Sequence, residues 1–167
     1  HLKAINYKKN RNIKATLNFA IGDKSKDSTT ISRLKYISKN AKISMTNLLL
    51  DKDYKIENFK SISIQTEKNS LTLNKSKKKV TAIGDSLDLR EFVKLLTSRK
   101  DKKKSISENL TANIKSKIKI VYVGDETINN VVAAGSIKKG KYESLNIFGS
   151  FSDTETASIE IKRNKKN

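Results

Sequence analysis

Cysteine, proline and tryptophan are absent from this sequence, and histidine occurs only once, as His1. Without cysteine the chain can form no disulfide, thiolate nucleophile or thiolate metal site, and this absence fits either the cytoplasm or the periplasm. Without an internal histidine, imidazole-based acid–base or triad chemistry has no donor. The glycines are isolated and none forms a phosphate-binding loop. We therefore expect a protein that is not an enzyme and has no catalytic residues, cofactor or metal ion.

Carboxylates that stand close together in the sequence fall at predicted turns. Asp51 with Asp53, and Asp125 with Glu126, are the two pairs concerned. Aspartate is favoured in turns because its side chain accepts hydrogen bonds from nearby backbone amides. This role explains the pairs better than a metal or general-acid role does.

Long apolar runs are also missing, since none approaches the roughly 18 residues that a membrane-spanning helix needs, and no signal sequence is visible in the residues given. The chain begins with His1 and its first residues already have the pattern of a strand. We expect it to be a fragment of a longer protein, with any anchor or export signal outside the sequence given.

The charge is strongly basic: 36 lysines and arginines stand against 17 acidic residues, for a net charge of +19. Only five of the basic residues are arginine, the residue whose planar fork reads guanine edges and grips phosphate. We interpret the lysines as a solvated surface and expect no nucleic-acid partner. A basic module for nucleic acid or anionic lipid headgroups stays open as an alternative.

Alternation of apolar and polar residues, typical of half-buried strands, runs through most of the chain. It is strict over 12–21, returns over 54–83, and is clearest over 110–122. The polar stretch 22–30 is predicted to be a loop, and the phase of the apolar residues over 33–50 is ambiguous.

One segment has a helical period instead. Leu89, Phe92, Val93 and Leu96 are spaced to share one helix face, and Asp88 is placed as an N-cap. We predict one short helix at about 88–98, followed by a charged linker.

The C-terminal part is predicted to be a four-stranded antiparallel meander. Gly124 and Asp125 form its first turn, and the 138–141 segment is a hairpin loop in which Gly140 can take a positive φ. The predicted organisation is an N-terminal β-meander over 1–83, the helix and linker over 84–105, and the C-terminal meander over 106–162. The fold class is mainly β: amphipathic antiparallel strands forming an open, twisted sheet or groove.

Several segments, taken in order, resemble bacterial AsmA-like envelope proteins. Residues 84–92 are similar to the segment with a glycine and a Leu-Asp-Leu that precedes a short helix in that family. A strand beginning at 109–114, then 128–137 and 140–149, resemble its succession of strand, hairpin and glycine-containing strand. The resemblance covers about 84–151. Ile128 and Asn130 stand at the positions of the family's leucine and asparagine, and Gly135 comes slightly later than the family's glycine.

This resemblance implies a non-catalytic segment of the periplasmic portion of an inner-membrane-anchored protein. Its β-groove would carry phospholipid between the inner and outer membranes, or support outer-membrane maintenance, with acyl chains on the apolar face. The envelope membranes would be contacted through parts of the protein outside this sequence. The candidate groove residues are Leu17, Phe19, Ile62, Ile64, Ile114, Ile118, Ile120, Val132, Ala134, Leu145, Ile147, Ile159 and Ile161.

The same alternation is compatible with a structural or adhesive β-repeat module whose core is closed. Alternation indicates that one face is buried without indicating what covers it.

Overall fold

A computed structural model describes residues 14–25, 27–90 and 107–162, and the strands of this part of the chain form one open sheet. Cross-strand backbone hydrogen bonds hold the sheet together, and its apolar residues alternate with polar ones. The strands are β1 Ala15–Lys24, β2 Ser28–Ser38, β3 Ala41–Asp51, β4 Ile56–Asn58, β5 Ser61–Thr66, β6 Ser70–Ser76, β7 Lys79–Asp88, β8 Ala112–Val123, β9 Glu126–Lys138, β10 Lys141–Ser150 and β11 Thr156–Lys162.

The strand order is β1-β2-β3-β5-β6-β7-β8-β9-β10-β11, and the short β4 pairs with β3 beside β5. All neighbouring strands are antiparallel except β7 and β8, which are parallel. The mainly antiparallel, open β-architecture predicted from the sequence is confirmed. The parallel pair was not predicted, and it joins the two meanders into one sheet.

The predicted helix at about 88–98 lies largely outside the described residues. Asp88 is the last residue of β7, and its Oδ1 accepts a hydrogen bond from the backbone N–H of Arg90 at 3.1 Å. That bond is the one expected of an N-cap aspartate.

The hairpin predicted at 138–141 is confirmed, and the loop predicted over 22–30 is shorter than expected. Lys139 and Gly140 both have positive φ, 49° and 67°, as the predicted hairpin requires. The predicted loop over 22–30 is shorter, because β1 continues to Lys24 and β2 already begins at Ser28. Polar residues can occupy these strand ends because the pairing of β1 with β2, and of β2 with β3, uses backbone groups.

Two asparagines shift the phase of the apolar pattern within a strand. Asn47 in β3 and Asn130 in β9 have φ of 48° and 52°, a left-handed conformation that asparagine adopts more readily than other L-residues. Leu48 follows Asn47 and is buried, and Val131 follows Asn130 and is buried. Apolar residues before and after each asparagine therefore share a face although their spacing is odd, as with Ile128 and Val131.

Buried apolar side chains lie on one face of the sheet, which we call the inner face. It carries Ile43, Ile62 and Ile118, with relative exposures of 3%, 9% and 4%. All described strands belong to one layer, and within the described residues these side chains pack against apolar neighbours on the same face. The opposite, outer face carries exposed residues such as Lys35 and Lys117.

Two apolar clusters form on the inner face. One lies toward the end at which β4 pairs with β3, and the other lies at the opposite end of β8 and β9. The first consists of Leu48, Phe59, Ile62, Val80 and Ala112, and the second of Ile118, Val121, Ile128 and Val131.

A buried polar link fixes the turn between β5 and β6 to the end of β7. Asn69 is 1% exposed, and its Oδ1 accepts a hydrogen bond from the backbone N–H of Asp88 at 2.9 Å. The buried carboxylate of Asp88 accepts two bonds from the Arg90 guanidinium, at 2.9 and 2.6 Å. These buried groups have hydrogen-bond partners, as buried polar groups require.

Gly84 allows β6 and β7 to approach closely at a register shift between Ser70 and Leu71. A Cβ at position 84 would overlap the Ser70 carbonyl oxygen and lie 2.7 Å from the Leu71 Cβ. We expect Gly84→Ala to lower the free energy of unfolding by about 1–3 kcal/mol, the usual cost of overpacking, as measured by urea denaturation with an unchanged m-value.

Gly22→Ala is the matched control for this experiment. The Cβ at position 22 would meet no atom closer than 3.5 Å, the Thr30 Cγ2, so its effect should stay within about 0.5 kcal/mol. Equal effects of the two substitutions would show that the close approach at Gly84 is not needed.

Candidate functional site

A continuous row of directly paired side chains crosses the inner face from one edge of the sheet to the other. Paired residues on adjacent strands point to the same side of a sheet, so the register places them on one face. With neighbouring strands about 4.8 Å apart, the row is roughly 43 Å long. This central row is Phe19, Leu34, Met45, Ile62, Leu73, Ala82, Ser116, Ala133, Ile147 and Ile159.

Parallel rows lie on each side of the central row, two residues away along the strands. One crosses eight strands as Leu17, Tyr36, Ile43, Ile64, Leu71, Gly84, Ile118 and Val131. The other crosses the C-terminal half as Val80, Ile114, Gly135, Leu145 and Ile161. We call the three rows together the apolar strip.

Exposure along the strip rises from the centre of the sheet toward both edges. Ile43 and Ile118 are almost fully buried, whereas Phe19 on β1 is 59% exposed and Ile159 on β11 is 45% exposed. The edge strands therefore leave large apolar side chains uncovered, so the strip is open at both ends.

The chemistry of the strip is almost wholly apolar. None of its side chains is charged, and Ser116 and Tyr36 are its only members with polar side-chain atoms. Within the described ranges no group of three or more histidine, cysteine, aspartate or glutamate residues is placed to hold a metal ion. What this surface can do is take apolar groups out of water over a long path.

The register brings together all the candidate groove residues except Ile120, Val132 and Ala134. Val132 and Ala134 pair with Lys117 and Lys115 and lie on the outer face. Ile120 is half-buried and pairs with Ser86 and Asn129, while the next residue, Val121, joins the cluster with Ile118. The prediction for these three continued a strict alternation, which the left-handed Asn130 interrupts in β9.

Several residues of the strip were not singled out from the sequence. They come from segments whose phase was ambiguous and from strands on which only part of the alternation was used. They include Leu34, Tyr36, Ile43, Met45, Leu71, Leu73 and Val131. The shifts in phase occur at Asn47 and Asn130, but Asn18 and Asn146 lie in strands without a positive φ, so asparagine alone does not locate such a shift.

Residues of the 84–92 segment have structural roles in this sheet. Gly84 provides the close approach to β6, Leu87 and Leu89 pack against the second cluster, and Asp88 forms the buried link to Asn69. Gly149 has a comparable role, because a Cβ there would lie 2.5 Å from the Ile128 Cγ2. These residues shape the sheet around the strip.

Asp51 confirms the turn role predicted for the first pair of acidic residues. Its Oδ1 accepts hydrogen bonds from the backbone N–H groups of Asp53 and Lys55, both at 2.9 Å. The bond from Lys55 is the main reason why the pKa of Asp51 lies below its ordinary value. Asp125 and Glu126 stand at the turn between β8 and β9.

Charge on the outer face is concentrated on β8. Lys115, Lys117 and Lys119 occupy successive outward positions and are all exposed. Lys119 forms an ion pair with Asp85 of β7 at 2.7 Å.

Comparison with known proteins gives no relative: no family model matches the chain, and no match is found among curated proteins or solved structures. Among the residues the structure describes, no helix is long and apolar enough to cross a membrane.

The Lys119–Asp85 pair can be tested by its titration. The hydrogen bond from Lys119 lowers the pKa of Asp85 below its ordinary value of 3.8. A carboxylate whose pKa is lower in the folded state stabilises the fold at pH values above its unfolded-state pKa. This contribution is lost as the pH falls through its folded-state pKa. We expect NMR titration to place the Asp85 pKa below 3.8 and Lys119→Met to raise it. An Asp85 pKa that does not respond to Lys119→Met would contradict the pair.

Proposed function

We propose that this chain is a non-catalytic segment of an AsmA-like bacterial envelope protein, and that its apolar strip carries phospholipid acyl chains. The observation that carries the proposal is the continuous apolar strip, which crosses all ten strands of the main path and is open at both edges. In this proposal the segment belongs to the periplasmic part of an inner-membrane-anchored protein, and it acts in phospholipid transport between the membranes or in outer-membrane maintenance.

The direction of the strip supports this proposal. It runs across the strands, which is the direction in which a sheet grows, so an acyl chain lying on it can move from strand to strand without leaving apolar surface. Each CH₂ taken from water into such surroundings gains about 0.8 kcal/mol. A long strip can therefore hold acyl chains without a specific pocket.

The low polarity of the strip also supports lipid as the ligand. A charged group within it would have to be desolvated by a passing acyl chain, at a high cost. The strip has no charged member, and Gly84 and Gly135 leave parts of it without a side chain. At both glycines the neighbouring strand lies close, so the strip continues there as packed backbone and apolar side chains.

A closed-core structural module is the competing function, and the burial of the central strands favours it. Ile43 and Ile118 are as buried as residues of an ordinary core. The two functions differ at the edges, where a closed core would need Phe19 and Ile159 to be covered by protein and a lipid carrier would not.

Lipid loading of the purified protein tests the proposal. The protein is incubated with phospholipid in detergent, the detergent is removed, and bound phospholipid is counted by mass spectrometry. Ile159→Asp and Leu17→Asp place a carboxylate at either open end of the strip, and we expect each to reduce bound lipid at least threefold. Both positions are about half exposed, so the fold should tolerate the change.

Controls lie next to each position on the same strands. Ser158→Asp and Asn18→Asp add the same charge on the outer face of β11 and β1, and both should leave lipid loading unchanged. A wild-type protein that binds no phospholipid, or equal losses in the inner and outer variants, would rule out the strip as a lipid site.

A further inference from the structure

A second apolar row lies on the outer face, where the lipid-carrying strip does not reach. The register aligns Ile83, Lys117, Val132 and Phe148 across β7, β8, β9 and β10. The three hydrophobic side chains are 58%, 50% and 56% exposed. With strands about 4.8 Å apart this row extends roughly 15 Å, so large apolar side chains are grouped here rather than scattered.

Two unpaired lysines stand in and beside this row. Lys117 lies between Ile83 and Val132, and Lys115 lies two positions along β8 opposite Ala134. Neither lysine makes an ion pair with any residue in the described part of the chain, whereas Lys119 is neutralised by Asp85. The nearby Glu160 is paired with Lys162, so the surface around Lys115 and Lys117 is positive.

Exposed apolar side chains with interspersed lysines fit the surface of an anionic bilayer. The apolar groups enter the boundary between headgroups and acyl chains, while the ammonium groups attract anionic headgroups and the lysine stems lie on apolar surface. Nucleic acid would favour several aromatic platforms beside the basic groups, but Phe148 is the only aromatic side chain in this row.

We propose that Ile83, Lys115, Lys117, Val132 and Phe148, the outer patch, dock the sheet against an anionic phospholipid bilayer. This contact is independent of the acyl-chain strip, because it uses the opposite face. Docking through the outer patch would hold the sheet beside a membrane while leaving the apolar strip turned away from it.

Vesicle sedimentation tests the docking. Wild-type protein is mixed with vesicles of zwitterionic phosphatidylcholine, either alone or with about 30% anionic phosphatidylglycerol, at low and at high salt. We expect stronger partitioning to the anionic vesicles and a loss at high salt. The double substitution Lys115→Gln with Lys117→Gln should weaken binding about fivefold for each lysine removed. Phe148→Ser should weaken it without changing the salt dependence.

The matched control is the double substitution Lys35→Gln with Lys42→Gln. These lysines are exposed on β2 and β3, outside the outer patch, and their removal changes the net charge by the same amount. Binding within twofold of wild type is expected for this control. Circular dichroism and thermal unfolding check that each variant is folded before binding is measured.

Three results would overturn the docking proposal. They are no preference of the wild type for anionic vesicles, equal weakening by the two lysine pairs, and binding to oligonucleotides but not to vesicles that depends on Lys115 and Lys117. Ile159→Asp should leave vesicle binding unchanged, so failure of the docking proposal and failure of the acyl-chain proposal give different results.

Discussion

The architecture depends on the pairing of apolar side chains in register across one face of a single-layered sheet. A pair such as Met45 and Ile62 belongs to a continuous apolar face only if the next strand presents another apolar residue at the same level, here Leu73. That requirement fixes the register of each strand, because a shift by one residue would move its apolar side chains to the outer face. It also brings these side chains into clusters on the inner face, where they pack against one another.

This constraint leaves the two edges of the sheet exposed. Phe19 and Ile159 continue the central row but, among the described residues, have a neighbouring strand on only one side. Edge strands with free backbone groups and apolar side chains commonly pair with further strands or bind ligands. The proposed lipid function and the alternative of a closed core make opposite claims about these two edges.

Much of the strand content was predictable because alternation is a local property of the sequence. Leu17 with Phe19, Ile62 with Ile64, and Leu145 with Ile147 were each placed on one face by their spacing alone, and the register confirms their common face. The candidate site was predictable to the same extent, since it consists of the apolar side of these strands.

The remaining features depend on contacts that spacing does not encode. The left-handed Asn130 puts Val131 rather than Val132 on the inner face, and an asparagine in a strand does not reveal its φ. The parallel pairing of β7 and β8 brings Gly84 beside Ile118 across a long connection. Such non-local pairing is set by the whole sheet and has no signature in either strand.

The central claim is that the apolar strip is in contact with lipid, and photo-crosslinking in living cells tests it most directly. A benzophenone amino acid replaces Phe19, whose aromatic ring is already half exposed on the inner face, and in a parallel strain it replaces the outward-facing Asn18. Phospholipid adducts from position 19 and none from position 18 are the predicted result. Adducts from position 19 that join only protein side chains would contradict the claim and indicate a closed core.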